Sequence, residues 1–155
     1  MEQIRQPVRQ IVVATDFSEC SRAAVDAAAD LAQRLGAKLT IVHVWQMTPL
    51  STVGAEYGMP DLIVAIEDAA RAQLADEMKR VSAVVPQVES ELRSGVAWEQ
   101  IVEAATRHSA DLLIVGTHGR TGLRHVFLGS VAEKVVRTSP VPVLTIPLPT
   151  LAKTA

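Results

Sequence analysis

The most informative stretch of the sequence is Asp111-Leu-Leu-Ile-Val-Gly-Thr-His-Gly119. It is followed after nine residues by Gly129-Ser130 and the helix-like run 131–136. An apolar run, a loop with glycines and a helix start thus follow one another. This layout presents backbone N–H groups to a phosphate, because glycine lets the main chain approach closely and a helix N-terminus adds unpaired donors and the positive end of its dipole. The stretch predicts a nucleotide site at the end of a strand.

Along the rest of the chain, short apolar runs alternate with segments of helical periodicity. Ser18 is suited to cap the first helix and Gly36 to end it. Asp61 is expected to cap the second helix, Gly95 to turn the chain into the third, and Ser130 to begin the fourth. The predicted strands are 10–14, 38–45, 88–93, 112–115 and 141–146, and a long loop is expected at 46–60.

This alternation predicts an α/β fold with a five-stranded parallel sheet, Rossmann-like, covered by helices on both faces. In such sheets, ligands bind beyond the carboxyl ends of the strands where the strand order reverses. Strand one ends in Thr15-Asp16 and strand four in the stretch 116–119. The order 3-2-1-4-5 places these two ends side by side. Pro142 predicts that strand five lies at an edge, where one N–H is dispensable.

Composition narrows the function classes. The 155 residues, 48% of them hydrophobic and 21% charged, predict a single domain with its core at about 8–147 and a loose tail at 148–155. A net charge of −2 and 3% aromatic residues argue against a nucleic-acid partner. The single cysteine, Cys20, excludes an intrachain disulfide. The first residues lack the apolar core of a signal peptide and no apolar run reaches membrane-spanning length, so we expect a cytoplasmic protein with no membrane contact.

These segments resemble the single-domain universal stress proteins over nearly the whole chain. The stretch 11–18 resembles that family's first strand and its acidic residue, 43–44 the end of its second strand, and 139–146 its final strand. The stretch 116–130 matches the family's G-x2-G-x9-G-[ST] phosphate motif. The resemblance implies a fold like that of the adenine nucleotide alpha hydrolases and ATP bound across strands one and four. It also implies a homodimer paired through Val141 to Ile146, and a role in stress survival.

The candidate binding residues lie at the strand ends and at the start of the fourth helix. Asp16 is either a turn residue that binds the backbone ahead of it, or a ligand to ribose or to a shared Mg²⁺ or Mn²⁺ ion. Ser130 and Glu133 have the spacing of a capping box, so we expect Ser130 to cap the helix without ATP and to contact phosphate with it. His43 is expected to be structural. The expected ATP-binding residues are Ala14, Thr15, Asp16, Val44, Val115, Gly116, His118, Gly119, Arg120, Thr121, Gly129, Ser130 and Val131.

Three function classes compete. The first is an ATP-binding regulatory protein whose state changes with nucleotide occupancy, the second a slow ATPase or phosphotransferase using the same site, and the third a nucleotide-free interaction module. The enzyme is disfavoured because the sequence lacks a G-x4-G-K-[ST] lysine, a kinase-type base and asparagine pair, and a G-x-S-x-G serine. A receiver-like module needs several acidic residues after strand one, where Asp16 stands alone. The sequence favours the ATP-binding protein, without catalytic residues.

Overall fold

The computed structural model describes residues 7–46, 60–118 and 128–148. Strands and helices alternate along these residues as the sequence predicts. The elements are β1 Gln10–Thr15, α1 Glu19–Leu35, β2 Lys38–Trp45, α2 Pro60–Ser82, β3 Val88–Ser94, α3 Ala97–Arg107, β4 Leu112–Gly116, α4 Ser130–Thr138 and β5 Val143–Ile146. Most of the predicted loop 46–60 and tail 148–155 lies outside the described residues.

The five strands form one sheet in the predicted order β3-β2-β1-β4-β5, and every neighbouring pair is parallel. The central strand β1 pairs with β2 and β4, so that Val13 lies between Ile41 and Ile114. All strands point the same way, and the carboxyl ends of β1 and β4 are therefore adjacent. This is the reversal point at which the sequence predicts the ligand site.

Helices cover both faces of the sheet, as predicted. Side chains alternate along a strand, and β1 therefore contributes to two cores. Ile11 and Val13 pack with α1 and α2, whereas Val12 and Ala14 pack with α3 and α4. Both faces of the central strands are buried, which explains why β1 and β4 are apolar almost throughout. Within the described parts of the chain, no helix combines the length and the hydrophobicity needed to cross a membrane.

Both ends of α1 are capped as predicted, whereas the caps predicted at Asp61 and Ser130 are wrong. Ser18 caps α1 by accepting a hydrogen bond from the Ser21 N–H, and Gly36 ends the helix with φ of 65°. The predicted cap at Asp61 is wrong, because α2 begins one residue earlier at Pro60, and Asp61 lies in the first turn. Proline suits the first helical position, where its missing N–H has no partner to lose. Ser130 does begin α4, but Gly129 is the capping residue.

The last strand begins later than predicted. The expected strand 141–146 is wrong at its start, because β5 begins at Val143. The Ser139 hydroxyl donates to the carbonyl oxygen of Val141 and accepts from its N–H, a local turn that competes with the sheet. Pro142 precedes the strand and its carbonyl accepts the Leu113 N–H at 2.9 Å. The edge position of β5 is confirmed.

Candidate functional site

A cavity of about 660 Å³ opens at the carboxyl ends of β1, β2 and β4. Its volume lies within the range of small-molecule sites, roughly 300–1,000 Å³. The structure brings these predicted site residues together in its wall: Ala14, Thr15, Asp16, Val44, Val115, Gly116, His118, Gly129, Ser130 and Val131. The other three, Gly119, Arg120 and Thr121, lie outside the described residues. The placement agrees with the nucleotide hypothesis, and ligand contact by each residue stays a prediction.

At the end of β1, side-chain hydrogen bonds fix the turn that carries Asp16. The carboxylate oxygen Oδ1 of Asp16 accepts the Ser18 N–H at 3.0 Å and the Ser21 hydroxyl at 2.8 Å. The Thr15 hydroxyl accepts the Phe17 N–H at 3.1 Å. Asp16 is therefore the turn residue that the sequence allows, and it also lines the cavity. The two interpretations of Asp16 are compatible, because a carboxylate accepts several hydrogen bonds.

At the end of β4, Gly116 is closely packed against α1. A Cβ atom at this position would lie 3.0 Å from the Cys20 Sγ and 3.2 Å from the Cys20 carbonyl carbon and oxygen. A larger residue would therefore require the first turn of α1 to move by a few tenths of an ångström. Cys20 itself is buried. Sequence reasoning missed this contact, because Cys20 is far from Gly116 along the chain.

Thr117 links three elements around the cavity. Its N–H donates to the Ile146 carbonyl at the end of β5 at 2.9 Å, and its carbonyl accepts the Gly129 N–H at 2.6 Å. Its hydroxyl lies 2.8 Å from the His118 Nδ1. The start of α4 is thereby tied to the ends of β4 and β5 through main-chain atoms. Thr117 was not among the predicted site residues.

The start of α4 borders the cavity without a side-chain cap. The predicted capping box is wrong: the Gly129 carbonyl accepts the Glu133 N–H at 2.9 Å, which makes Gly129 the capping residue and Ser130 the first helical residue. The Glu133 carboxylate pairs with Arg137 at 2.7 Å instead. The first N–H groups of a helix have no partner within it. Those of Ser130 and Val131 therefore lie at the cavity wall as candidate anion donors.

An apolar part of the cavity wall comes from distant segments. Val44 and Trp45 of β2 face it, together with Ile66 of α2 and Ala97 and Ile101 of α3. Sequence reasoning named only Val44 from this wall. The other residues carry no motif, and only the packing of α2 and α3 onto the sheet brings them together. A planar apolar group such as a nucleobase fits this wall.

Among the described lining residues of the cavity, few side chains are charged. Among residues 7–46, 60–118 and 128–148, no group of three or more metal-ligating side chains is present. Asp16 is the acidic residue in the described wall of the cavity. Mg²⁺ usually binds through one or two carboxylates together with substrate phosphates and water. Asp16 is the described lining residue that could supply a carboxylate to such a cation.

Comparisons with known proteins agree with this fold and site. A family model described as the universal stress protein family matches residues 7–147. Universal stress protein MJ0531 of Methanocaldococcus jannaschii is 30% identical over 141 residues, which cover 91% of this chain and 83% of the relative. The solved structure of MJ0577 from the same organism superposes with a TM-score of 0.83 at 25% identity, over 94% of this chain and 100% of that one. A universal stress protein in complex with cAMP has a TM-score of 0.70 at 28% identity, over 93% of this chain and 100% of that chain.

Proposed function

The chain belongs to the universal stress protein family, and on that premise we propose that it binds ATP in the cavity between the ends of β1 and β4. The observation that carries the proposal is the start of α4, which lacks a side-chain cap and borders a cavity of about 660 Å³. We propose a regulatory role in stress survival in which nucleotide occupancy changes the state of the protein. At most, slow hydrolysis accompanies this role.

The proposed binding mode uses two parts of the cavity wall, the start of α4 and the apolar part that includes Val44. The phosphates would accept hydrogen bonds from the N–H groups of Ser130 and Val131, where the helix dipole also favours negative charge. Arg120 would add positive charge beside the phosphates, and His118 would contact them from the cavity wall. The base would lie on the apolar wall, with the Val44 main chain at its edge. Asp16 would accept from a ribose hydroxyl, or hold Mg²⁺ or Mn²⁺ together with the phosphates.

The relative solved with cAMP supports an adenine nucleotide as the ligand class. The choice of ATP comes from the family's phosphate motif, which the stretch 116–130 matches, and from the helix N–H groups of Ser130 and Val131 at the cavity wall. Cytoplasmic location stays a prediction from the sequence.

The proposal is tested by calorimetric titration of the purified protein with ATP, AMP, cAMP and GTP, each with Mg²⁺ and with EDTA. Acid release and chromatography first establish what the protein carries from its source. We expect ATP to bind more tightly than GTP, since the apolar wall and the Val44 main chain select the base. Absence of bound nucleotide and of any binding would contradict the proposal and favour a nucleotide-free interaction module.

We further propose that β5 joins two copies into a homodimer. It is an edge strand with apolar residues, and Leu144 is 40% exposed. The opposite edge, β3, instead carries charged residues such as Glu89 and Glu91, which discourage pairing with another chain. Two-fold symmetry would pair Val143–Thr145 with its copy. Leu144→Lys would place like charges near the axis, and light scattering at micromolar concentration should detect monomers. A parent protein that is already monomeric would contradict this assembly.

A further inference from the structure

Phe17, next to Asp16, has a backbone conformation that is rare for its residue type. Its φ is 63°, in the left-handed region that favours glycine. A bulky aromatic residue stays there only when its surroundings impose the conformation, and such residues cluster at functional sites. The ring of Phe17 lies against the ring of His43, with 4.3 Å between the centroids and a tilt of 40°. Its N–H donates to the Thr15 hydroxyl.

His43 contacts the other neighbour of Asp16 as well. It ends up beside β1 because it pairs with Thr15 in the parallel register of β1 and β2. Its Nδ1 lies 2.8 Å from the Thr15 carbonyl oxygen. Because a carbonyl only accepts, Nδ1 must carry the hydrogen and donate it. The side chain is only 5% exposed, so packing holds the ring in this orientation.

We propose that His43 and Phe17 are positioning residues for Asp16. His43 holds the residue before Asp16 by a hydrogen bond and the residue after it by ring contact. The left-handed turn at Phe17 then brings Ser18 to where its N–H reaches the Asp16 Oδ1. Together these contacts keep the carboxylate in the cavity wall. The inference rests on the proposed function, since the ligand of Asp16 is taken to be the ATP ribose or its cation.

The alternative is a purely structural role, in which the two rings stabilise the fold without acting through Asp16. A double-mutant cycle on ATP affinity separates the two roles. Phe17→Gly removes the ring. Because glycine tolerates a positive φ, the chain can still form this turn without strain. Asp16→Ala removes the group that is to be positioned. Val81→Ala is the matched control, because Val81 is buried in α2 and is not part of the cavity wall.

We expect F17G to weaken ATP binding about tenfold in the parent and less than about twofold in the D16A background. V81A should lower the melting temperature and leave ATP affinity unchanged. His43→Asn can still donate to Thr15 without the ring, and should keep more affinity than His43→Leu, which loses the donor. Circular dichroism establishes that each variant is folded.

The outcomes separate this inference from the proposed function. A parent that binds no nucleotide would overturn the proposed function and this inference with it. A parent that binds ATP, with equal losses from F17G in both backgrounds, would overturn the positioning role alone. If D16A binds too weakly to measure, a crystal structure of F17G decides: an Asp16 carboxylate unchanged in position would overturn the inference, and a displaced one would support it.

Discussion

The two strand ends that meet at the cavity are held in different ways. At the end of β1, side chains make the contacts: Asp16 accepts from Ser18 and Ser21, and His43 donates to Thr15. At the end of β4, the main chain makes them, through the bonds of Thr117 to β5 and to the start of α4. The first arrangement holds a carboxylate in the cavity wall, and the second leaves the main-chain N–H groups at the start of α4 beside the cavity. The site thus combines a side-chain end with a main-chain end.

The largest effect is expected from filling the space beside Gly116, at the end of β4. Gly116→Ala would put a Cβ within 3.0–3.2 Å of Cys20 atoms, two of which belong to the backbone. We expect a loss of about 2 kcal/mol in the free energy of unfolding, as for other overpacked sites. Urea denaturation measures it. Gly36→Ala is the control, because it has open space and a φ of 65° and should cost about 1 kcal/mol. A smaller loss at Gly116 than at Gly36 would show that α1 moves away easily.

The next effect tests whether donors of the main chain carry the affinity. Ser130→Pro removes one N–H at the first helical position, which proline favours. Gly129 already has φ of −65° and ψ of 158°, a conformation that suits a residue before proline. We expect about tenfold weaker ATP binding, which is about 1.4 kcal/mol. Ser130→Ala removes only the hydroxyl and should change the affinity much less. Equal losses in the two variants would assign the contact to the side chain instead.

A smaller effect separates the two possible roles of Asp16 at the end of β1. Asp16→Asn keeps an oxygen that can accept from Ser18, Ser21 and a ribose hydroxyl, but it removes the negative charge. If Asp16 shares a cation with the phosphates, the variant should lose the dependence of ATP affinity on Mg²⁺. If it contacts ribose only, affinity should change little in Mg²⁺ or in EDTA. Titrations of parent and variant in both buffers decide between the roles, and identical metal dependence would exclude the cation.

The smallest effect comes from the β3 edge, away from both strand ends. Burial raises the pKa of Glu91, but hydrogen bonds from His108 and Arg93 outweigh it and lower this pKa below its ordinary value. Glu91 thus contributes stability that is complete above the ordinary carboxyl pKa and is lost as pH falls through the lowered one. Glu91→Gln should flatten the loss of stability in acid and leave ATP affinity unchanged. Melting curves of both proteins in acidic and neutral buffers measure this. An equal loss of stability on acidification in parent and variant would contradict the prediction.

Much of the fold was predictable because strands, turns and caps leave local signals. The strand order, the edge position of β5, and the ends of α1 at Ser18 and Gly36 are all confirmed. The position of the cavity also followed, since parallel strands bring their ends together. Three of the predicted strands nevertheless continue one residue further, to Thr15, Ser94 and Gly116, because the parallel register continues there.

What the sequence could not supply depends on contacts between distant segments. The capping box at Ser130 fails because Thr117 holds the Gly129 N–H and leaves Gly129 as the cap. The apolar wall is assembled from helices whose residues have no motif of their own. The left-handed turn at Phe17 likewise could not be predicted from the neighbouring sequence, because phenylalanine rarely adopts this conformation and its contact, His43, lies on another strand.

The most direct test of the central claim is a crystal structure of the protein grown with ATP and Mg²⁺. We predict phosphate oxygens within hydrogen-bond distance of the backbone nitrogens of Ser130 and Val131, with the base on the wall that includes Val44. The Asp16 carboxylate should then contact a ribose hydroxyl or the cation. Phosphates bound elsewhere, with the start of α4 facing solvent or a side-chain cap, would contradict the account.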